Sequence, residues 1–216
     1  MLFVSDYLHG AADQALSALA DALRRTDGVE EGLGEGRAEV LRRLAEQDLS
    51  RAAFRPPEPA RIPACRHLPA TVGAAIMVDA ALAAALAGME DELHWRQSKG
   101  YSDAAMGQVG FMDNYAFAEI VGSHGCFAGD DFRLGFFLLG PGLHYLDHAH
   151  PAPEFYWLLT GPSDWSRGGG PFATRQAGDM IWHHPQEVHA TRTREDPLLA
   201  LWAWTQDTEE PPRLVG

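Results

Sequence analysis

Along the first hundred residues the apolar positions recur at helical intervals. "AADQALSALADALRRT" places Ala15, Leu16, Leu19 and Leu23 along one stripe, and "GRAEVLRRLAEQDL" does the same with Val40, Leu41, Leu44 and Leu49. The glycine-rich "DGVEEGLGEG" predicts a break between these helices. "FRPPEPARIPACRHLPA", with five prolines in seventeen residues, predicts a loop. Thr71 to Trp95, rich in Ala, Leu and Met, predicts one or two further helices. Apolar stripes of this kind need a partner surface, so these helices are expected over the rest of the chain or at a subunit contact.

After "SKGYSDAAMG" the period changes. "NYAFAEIVG", "FRLGFFLLG", "EFYWLLTG", "GDMIWH", "VHATRT" and "LLALWAWT" are short β-branched or aromatic runs punctuated by Gly, Pro and Asp. Short strands at this spacing predict an all-β sandwich or barrel. The expected fold is mainly β with an α-helical N-terminal region. Residues 1–98 form the helical part and 99–216 the barrel.

The densest chemistry lies in "GLHYLDHAHPAPEFYWLLTG", Gly142 to Gly161. Alternate residues of a strand share a face. His148, His150, Glu154 and Tyr156 have one parity, so an approximately regular strand or hairpin limb would aim all four inward, with some bending at Pro151 and Pro153. Two imidazoles and a carboxylate converging in this way predict a divalent-metal site. A further ligand is expected from "AGDMIWHHPQEVHATRT". There His189 opens a predicted strand, whereas His183 and His184 precede Pro185 and read as turn residues.

Gly142-x5-His148-x-His150-x3-Glu154-x6-Gly161 matches the first cupin motif at every spacing. The second motif is looser: Gly178 and His189 are correctly spaced, but Pro185 is displaced by one residue. Gln186 stands where the inner glycine is usual, and Thr193 where the terminal asparagine is usual. The stretch from about residue 100 onward therefore resembles the cupins, which implies a double-stranded β-helix or jelly-roll barrel. Tyr145-x-x-His148-x-His150-x3-Glu154-x-Tyr156 sharpens this to a resemblance to the bacterial cupin-type dimethylsulfoniopropionate lyases, and the N-terminal helices fit their Q-type branch.

That resemblance implies one divalent cation (Zn, Fe, Mn, Co or Ni) on His148, His150, Glu154 and His189, with His148 either a direct ligand or a participant beside the metal. It implies a carbon–sulfur lyase acting on a small sulfonium zwitterion and releasing dimethyl sulfide and acrylate. The proton to be removed lies α to a carboxylate and is weakly acidic. A nearby cation favours phenolate, lowering a tyrosine from its reference pKa near ~10, so Tyr156 or Tyr145 would be the base. Strand parity places Tyr156 nearer the metal. Aromatic faces suit the sulfonium, at roughly 0.5–2 kcal/mol each. The candidates are Tyr145, Phe137, Trp157, Trp182, Trp202 and Trp204, of which Trp157 has the wrong parity and Trp202 and Trp204 suit core filling. A cupin oxygenase or isomerase, or a non-catalytic cupin binding module, would use the same ligands.

Composition narrows the partners. Seventeen Lys and Arg against thirty Asp and Glu give a net charge of −13 without a basic cluster, which argues against nucleic acid and anionic membranes. Cys65 and Cys126 are far apart and form no CxxC, which fits a reducing compartment. The N-terminus lacks the pattern of a secretory signal, and the alanine-rich run Ala70 to Gly88 is interrupted by Asp79. A cytoplasmic protein with no membrane span is expected, and a homo-oligomer is compatible with the apolar helix stripes.

Overall fold

The computed structural model describes residues 2–26 and 32–215, with side chains from residue 5 onward. The first half of the predicted glycine-rich break, residues 27–31, lies outside the described residues, and its second half corrects the prediction, since Leu33 to Gly36 are already helical. Five α-helices, α1 (Leu2–Arg25), α2 (Leu33–Glu46), α3 (Leu68–Ala75), α4 (Ala80–Met89) and α5 (Asp103–Met106), come before the first strand. Helix α1 begins before the predicted stripe, whereas α2 stops at Glu46, short of Leu49. The prolines predicted as a loop include Pro63 and Pro69, which open a 3-10 turn and the first turn of α3, positions where a missing N–H costs no helical hydrogen bond. Asp79 interrupts the alanine-rich run and caps α4, its carboxylate accepting the Leu82 N–H at 2.9 Å.

Ten strands follow: β1 (Tyr115–Val121), β2 (Arg133–Leu139), β3 (His144–Ala149), β4 (Glu154–Leu158), β5 (Ser163–Arg167), β6 (Ala173–Arg175), β7 (Met180–His183), β8 (His189–Thr193), β9 (Leu198–Trp204) and β10 (Arg213–Leu214). They make two antiparallel five-stranded sheets, ordered β1-β2-β9-β4-β7 and β10-β3-β8-β5-β6. This mainly β, two-sheet arrangement with N-terminal helices is cupin-like.

The first sheet is buried on both faces, which explains its nearly continuous apolar strands. Phe155 and Trp157 of β4, with Leu199 and Leu201 of β9, join the apolar residues of α1 and α4 in one cluster. Tyr156, Leu158, Trp202 and Trp204 alternate onto the barrel interior. On the helix side α2 lies over β4 and β7. A Cβ on Gly36 would come within 2.4 Å of the Trp182 ring, so only glycine permits this approach. Trp182 therefore faces the helices and is no candidate for the substrate. The second sheet is more polar: in β8 His189, Thr191 and Thr193 are buried while Arg192 is exposed. Among the described residues no helix is long and apolar enough to cross a membrane.

Candidate metal centre and active site

The expectation that one strand or hairpin limb carries His148, His150 and Glu154 is corrected by the topology. His148 lies near the end of β3, His150 in the turn after it, and Glu154 at the start of β4, which belongs to the opposite sheet. Pro151 and Pro153 carry the chain across the barrel between them. The side chains converge because two facing sheets both point inward, and their shared parity is incidental to that. His189 opens β8 and pairs directly with His148.

His148, His150 and His189 each offer a ring nitrogen within 4.8 Å of the others. With Glu154 they are only 1–3% exposed, which excludes a solvated polar strand. Each imidazole is oriented in the same way. Nδ1–H of His148 donates to the Leu146 carbonyl, that of His150 to Ala152 and that of His189 to Glu187, all at 2.8 Å. A neutral ring protonated at Nδ1 keeps its lone pair on Nε2. Nε2 of His150 and of His189 both lie 3.1 Å from Glu154 Oε2, and Nε2 of His189 has no well-formed hydrogen bond. Lone pairs thus face a carboxylate oxygen in a buried pocket, an arrangement that a cation resolves. The buried histidine triad can hold a metal ion.

Glu154 is fixed by a further donor, Trp204 Nε1–H, 2.8 Å from Oε1. Burial pushes the Glu154 carboxyl up, but the neighbouring His150 and His189 together hold it well below the usual range. Burial, then the adjacent His189, push His148 well below the usual histidine value.

Both tyrosines reach this centre, which corrects the parity argument against Tyr145. Pairing with β8 shifts register between Tyr145 and His148, and the resulting bulge puts both on the interior face. The two rings stack with centroids 4.1 Å apart. The Tyr145 hydroxyl donates to that of Tyr101 at 3.0 Å, and the Tyr115 hydroxyl bonds Ser98 Oγ at 2.9 Å. The Tyr156 phenol lies close enough to the Glu154 carboxylate to feel its charge. Burial first, then Tyr115, raises the Tyr145 phenol well above its ordinary value; burial and then Glu154 do the same to Tyr156. Burial pushes Tyr115 up to about 12.

Other site residues escaped the sequence reading. His183, expected in a turn, ends β7 as a buried residue stacked on His189 at 4.1 Å. Burial, then His189, pull it down to about 3. Its place on the buried parity of "MIWH" is the signal that could have found it. Trp204, expected as core filling, holds Glu154. The departures from the second cupin motif are accommodated: Gln186 takes the left-handed conformation (φ 61°) that glycine usually supplies. The Thr193 hydroxyl accepts the Leu143 N–H at 2.8 Å and donates to the Gly140 carbonyl at 2.7 Å.

Tyr145, His148, His150, Glu154, Tyr156 and Trp204 line a cavity of about 290 Å³ that also meets Phe117, Phe137 and Trp202. Its size and aromatic walls suit a small organic cation.

The family model for dimethylsulfoniopropionate lyases matches residues 35–200. Dimethylsulfoniopropionate lyase DddQ of Ruegeria pomeroyi is 31% identical over 160 residues, covering 74% of this chain and 78% of its own. The crystal structure of DddQ from that organism superposes with a TM-score of 0.72 at 25% identity, covering 95% of this chain and 96% of the other. A second relative, the putative lyase DddL of Cereibacter sphaeroides, is 30% identical over 44% of this chain and 40% of its own. The chain belongs to the dimethylsulfoniopropionate lyase family of carbon–sulfur lyases.

Proposed function

We propose that this chain cleaves dimethylsulfoniopropionate itself, by a metal-dependent β-elimination with Tyr156 as the base. The observation that carries the reading is two buried tyrosines beside an oriented histidine triad, Tyr145 stacked on His148 and Tyr156 lining the same aromatic cavity. His148, His150, His189 and Glu154 would hold the ion. A divalent cation there supplies positive charge that polarises the substrate carboxylate and favours phenolate at a neighbouring tyrosine.

The rest is done by the chain. Tyr156 takes the proton α to the carboxylate, that electron pair forms the C=C bond, and the Cβ–S pair leaves with dimethyl sulfide. The products are dimethyl sulfide, acrylate and one proton. The faces of Phe137 and Trp202 receive the sulfonium, which cannot donate a conventional hydrogen bond. Tyr145, braced by Tyr101, positions the substrate. Residues 99–216 read as the barrel carrying the ligands and 1–98 as its helical cover, with Arg96 and Ser98 reaching the cavity from the cover's last turn of chain.

Headspace gas chromatography tests the proposal. Purified protein given dimethylsulfoniopropionate should release dimethyl sulfide, and a chelated sample should not. Absence of dimethyl sulfide from metal-replete protein would refute it.

A further inference from the structure

The cavity has a second chemical character at its mouth. Arg96, Lys99 and Arg133 line it there, and Lys99 is the only lysine in the chain. Among the described residues none of the three makes an ion pair. Two are seated on aromatic rings of the cavity wall: the Arg96 guanidinium lies 5.2 Å from the Phe117 centroid, and that of Arg133 lies 5.8 Å from the Trp204 centroid. Arg96 also donates to His124 Nδ1. Such contacts hold a cation in place without neutralising it. The acidic groups lining the cavity are Glu209 at the mouth and Glu154 beside the histidines; Arg133 also borders a neighbouring cleft lined by Asp130, Asp131, Asp207 and Glu210.

This concentration of positive charge is unusual in a chain of net charge −13. The field around such a protein repels anions, so cations grouped at one opening create a local well for them. We infer that Arg96, Lys99 and Arg133 form an anion-binding vestibule that takes small monocarboxylates. The inference rests on the lyase reading for its biological meaning. Elimination turns a zwitterion of no net charge into an anion, acrylate, so the vestibule acts on product more strongly than on substrate. It draws the carboxylate away from the metal centre and makes small carboxylates inhibitors whose strength falls with salt.

The test is equilibrium binding of propionate, an unreactive monocarboxylate, to Zn2+-loaded protein, with neutral propionamide as control. Lys99→Met and Arg133→Gln should each weaken propionate by about threefold to tenfold, the scale of a partly screened charge. Raising salt from about 20 to about 300 mM, which shortens the screening length severalfold, should weaken the parent more than the double variant. Metal content is measured in each sample. If Arg133→Gln loses metal, Lys99→Met decides alone, since Lys99 is exposed. Unchanged propionate affinity in variants that keep their metal overturns the vestibule, as does propionamide binding as tightly as propionate. Dimethyl sulfide release, assayed on the same samples, separates the two readings. Propionate binding that depends on the cations without any release keeps the vestibule and rejects the lyase, and the opposite pattern does the reverse.

Discussion

Tyr145 and His148 stack ring on ring, centroids 4.1 Å apart, although they stand three positions apart along one strand. A regular strand would send them to opposite faces. One extra residue in β3 against β8 removes that difference, so Tyr145 joins Tyr156 in lining the cavity that His148 and His150 face. The two phenols have different surroundings: the Tyr145 hydroxyl donates to that of Tyr101, whereas Tyr156 feels the Glu154 charge.

That difference separates their expected roles. Tyr156→Phe should fold, keep its metal and lose at least ~100-fold in turnover, the low end for a general base. Tyr145→Phe should mainly raise KM, because it removes a hydroxyl braced by Tyr101 while leaving the ring stacked on His148. Steady-state kinetics with metal analysis on both variants checks this. Loss of turnover with unchanged KM in Tyr145→Phe would reverse the assignment.

His150→Ala and His189→Ala should lose metal and activity together. Each Nε2 stands 3.1 Å from Glu154 Oε2, and no other described histidine offers a nitrogen within the 4.8 Å cluster except His148. Affinity should fall at least about 100-fold, more than the loss of an orienting partner produces. Elemental analysis after dialysis is the measurement. Stoichiometric metal in either variant would remove that residue from the ligand set.

Legibility in the sequence followed from how local each feature is. β1, β2, β4, β7, β8 and β9 were visible because apolar or β-branched residues fill them. "SDWSR" and "ATR" were missed because β5 and β6 belong to the more polar sheet, where pairing rather than apolar pattern makes the strand. The histidines and Glu154 were legible from motif spacing. Their assembly from two opposed sheets was not, since a turn through Pro151 and Pro153 and a regular strand give the same parity. That Tyr145 shares the interior face with His148 is not legible from parity, because a bulge leaves no reliable trace in one sequence. Trp204 and the mouth cations were unreadable for a different reason: their roles depend on contacts across the barrel.

Asp103 provides a pH-dependent test beside the site. Its carboxylate accepts the N–H of Gly110 at 2.6 Å and of Met112 at 2.8 Å, closing the loop that carries the buried Phe111 against Tyr145. Those bonds, Met112 first and then Gly110, hold its pKa below the usual carboxylate value. With the folded value depressed, the stabilisation is fully present above the unfolded pKa of about 3.9. It is lost as pH falls through the lower folded value. Asp103→Asn should therefore increase hydrogen exchange at Gly110 and Met112 at neutral pH, with the gap to the parent closing below about pH 4. A gap independent of pH would mean that the charge contributes nothing.

The indole N–H of Trp204 should matter more to the metal than to the fold. It is the one donor to Glu154 Oε1 among the described hydrogen bonds, at 2.8 Å, while Oε2 faces His150 and His189. Removing it leaves the carboxylate free to rotate and strips a buried oxygen of its partner. Trp204→Phe keeps an aromatic ring near His150, whose centroid lies 4.5 Å from the indole, so the barrel interior stays filled apart from a small gap. The variant should bind metal about 10–100-fold more weakly, as expected for loss of an orienting partner. Unfolding should remain cooperative. Competition against a chelator of known affinity measures the first and thermal denaturation the second. Parental metal affinity in Trp204→Phe would show that Glu154 is held by the histidines alone, and a large loss of stability with the same affinity would return Trp204 to core filling.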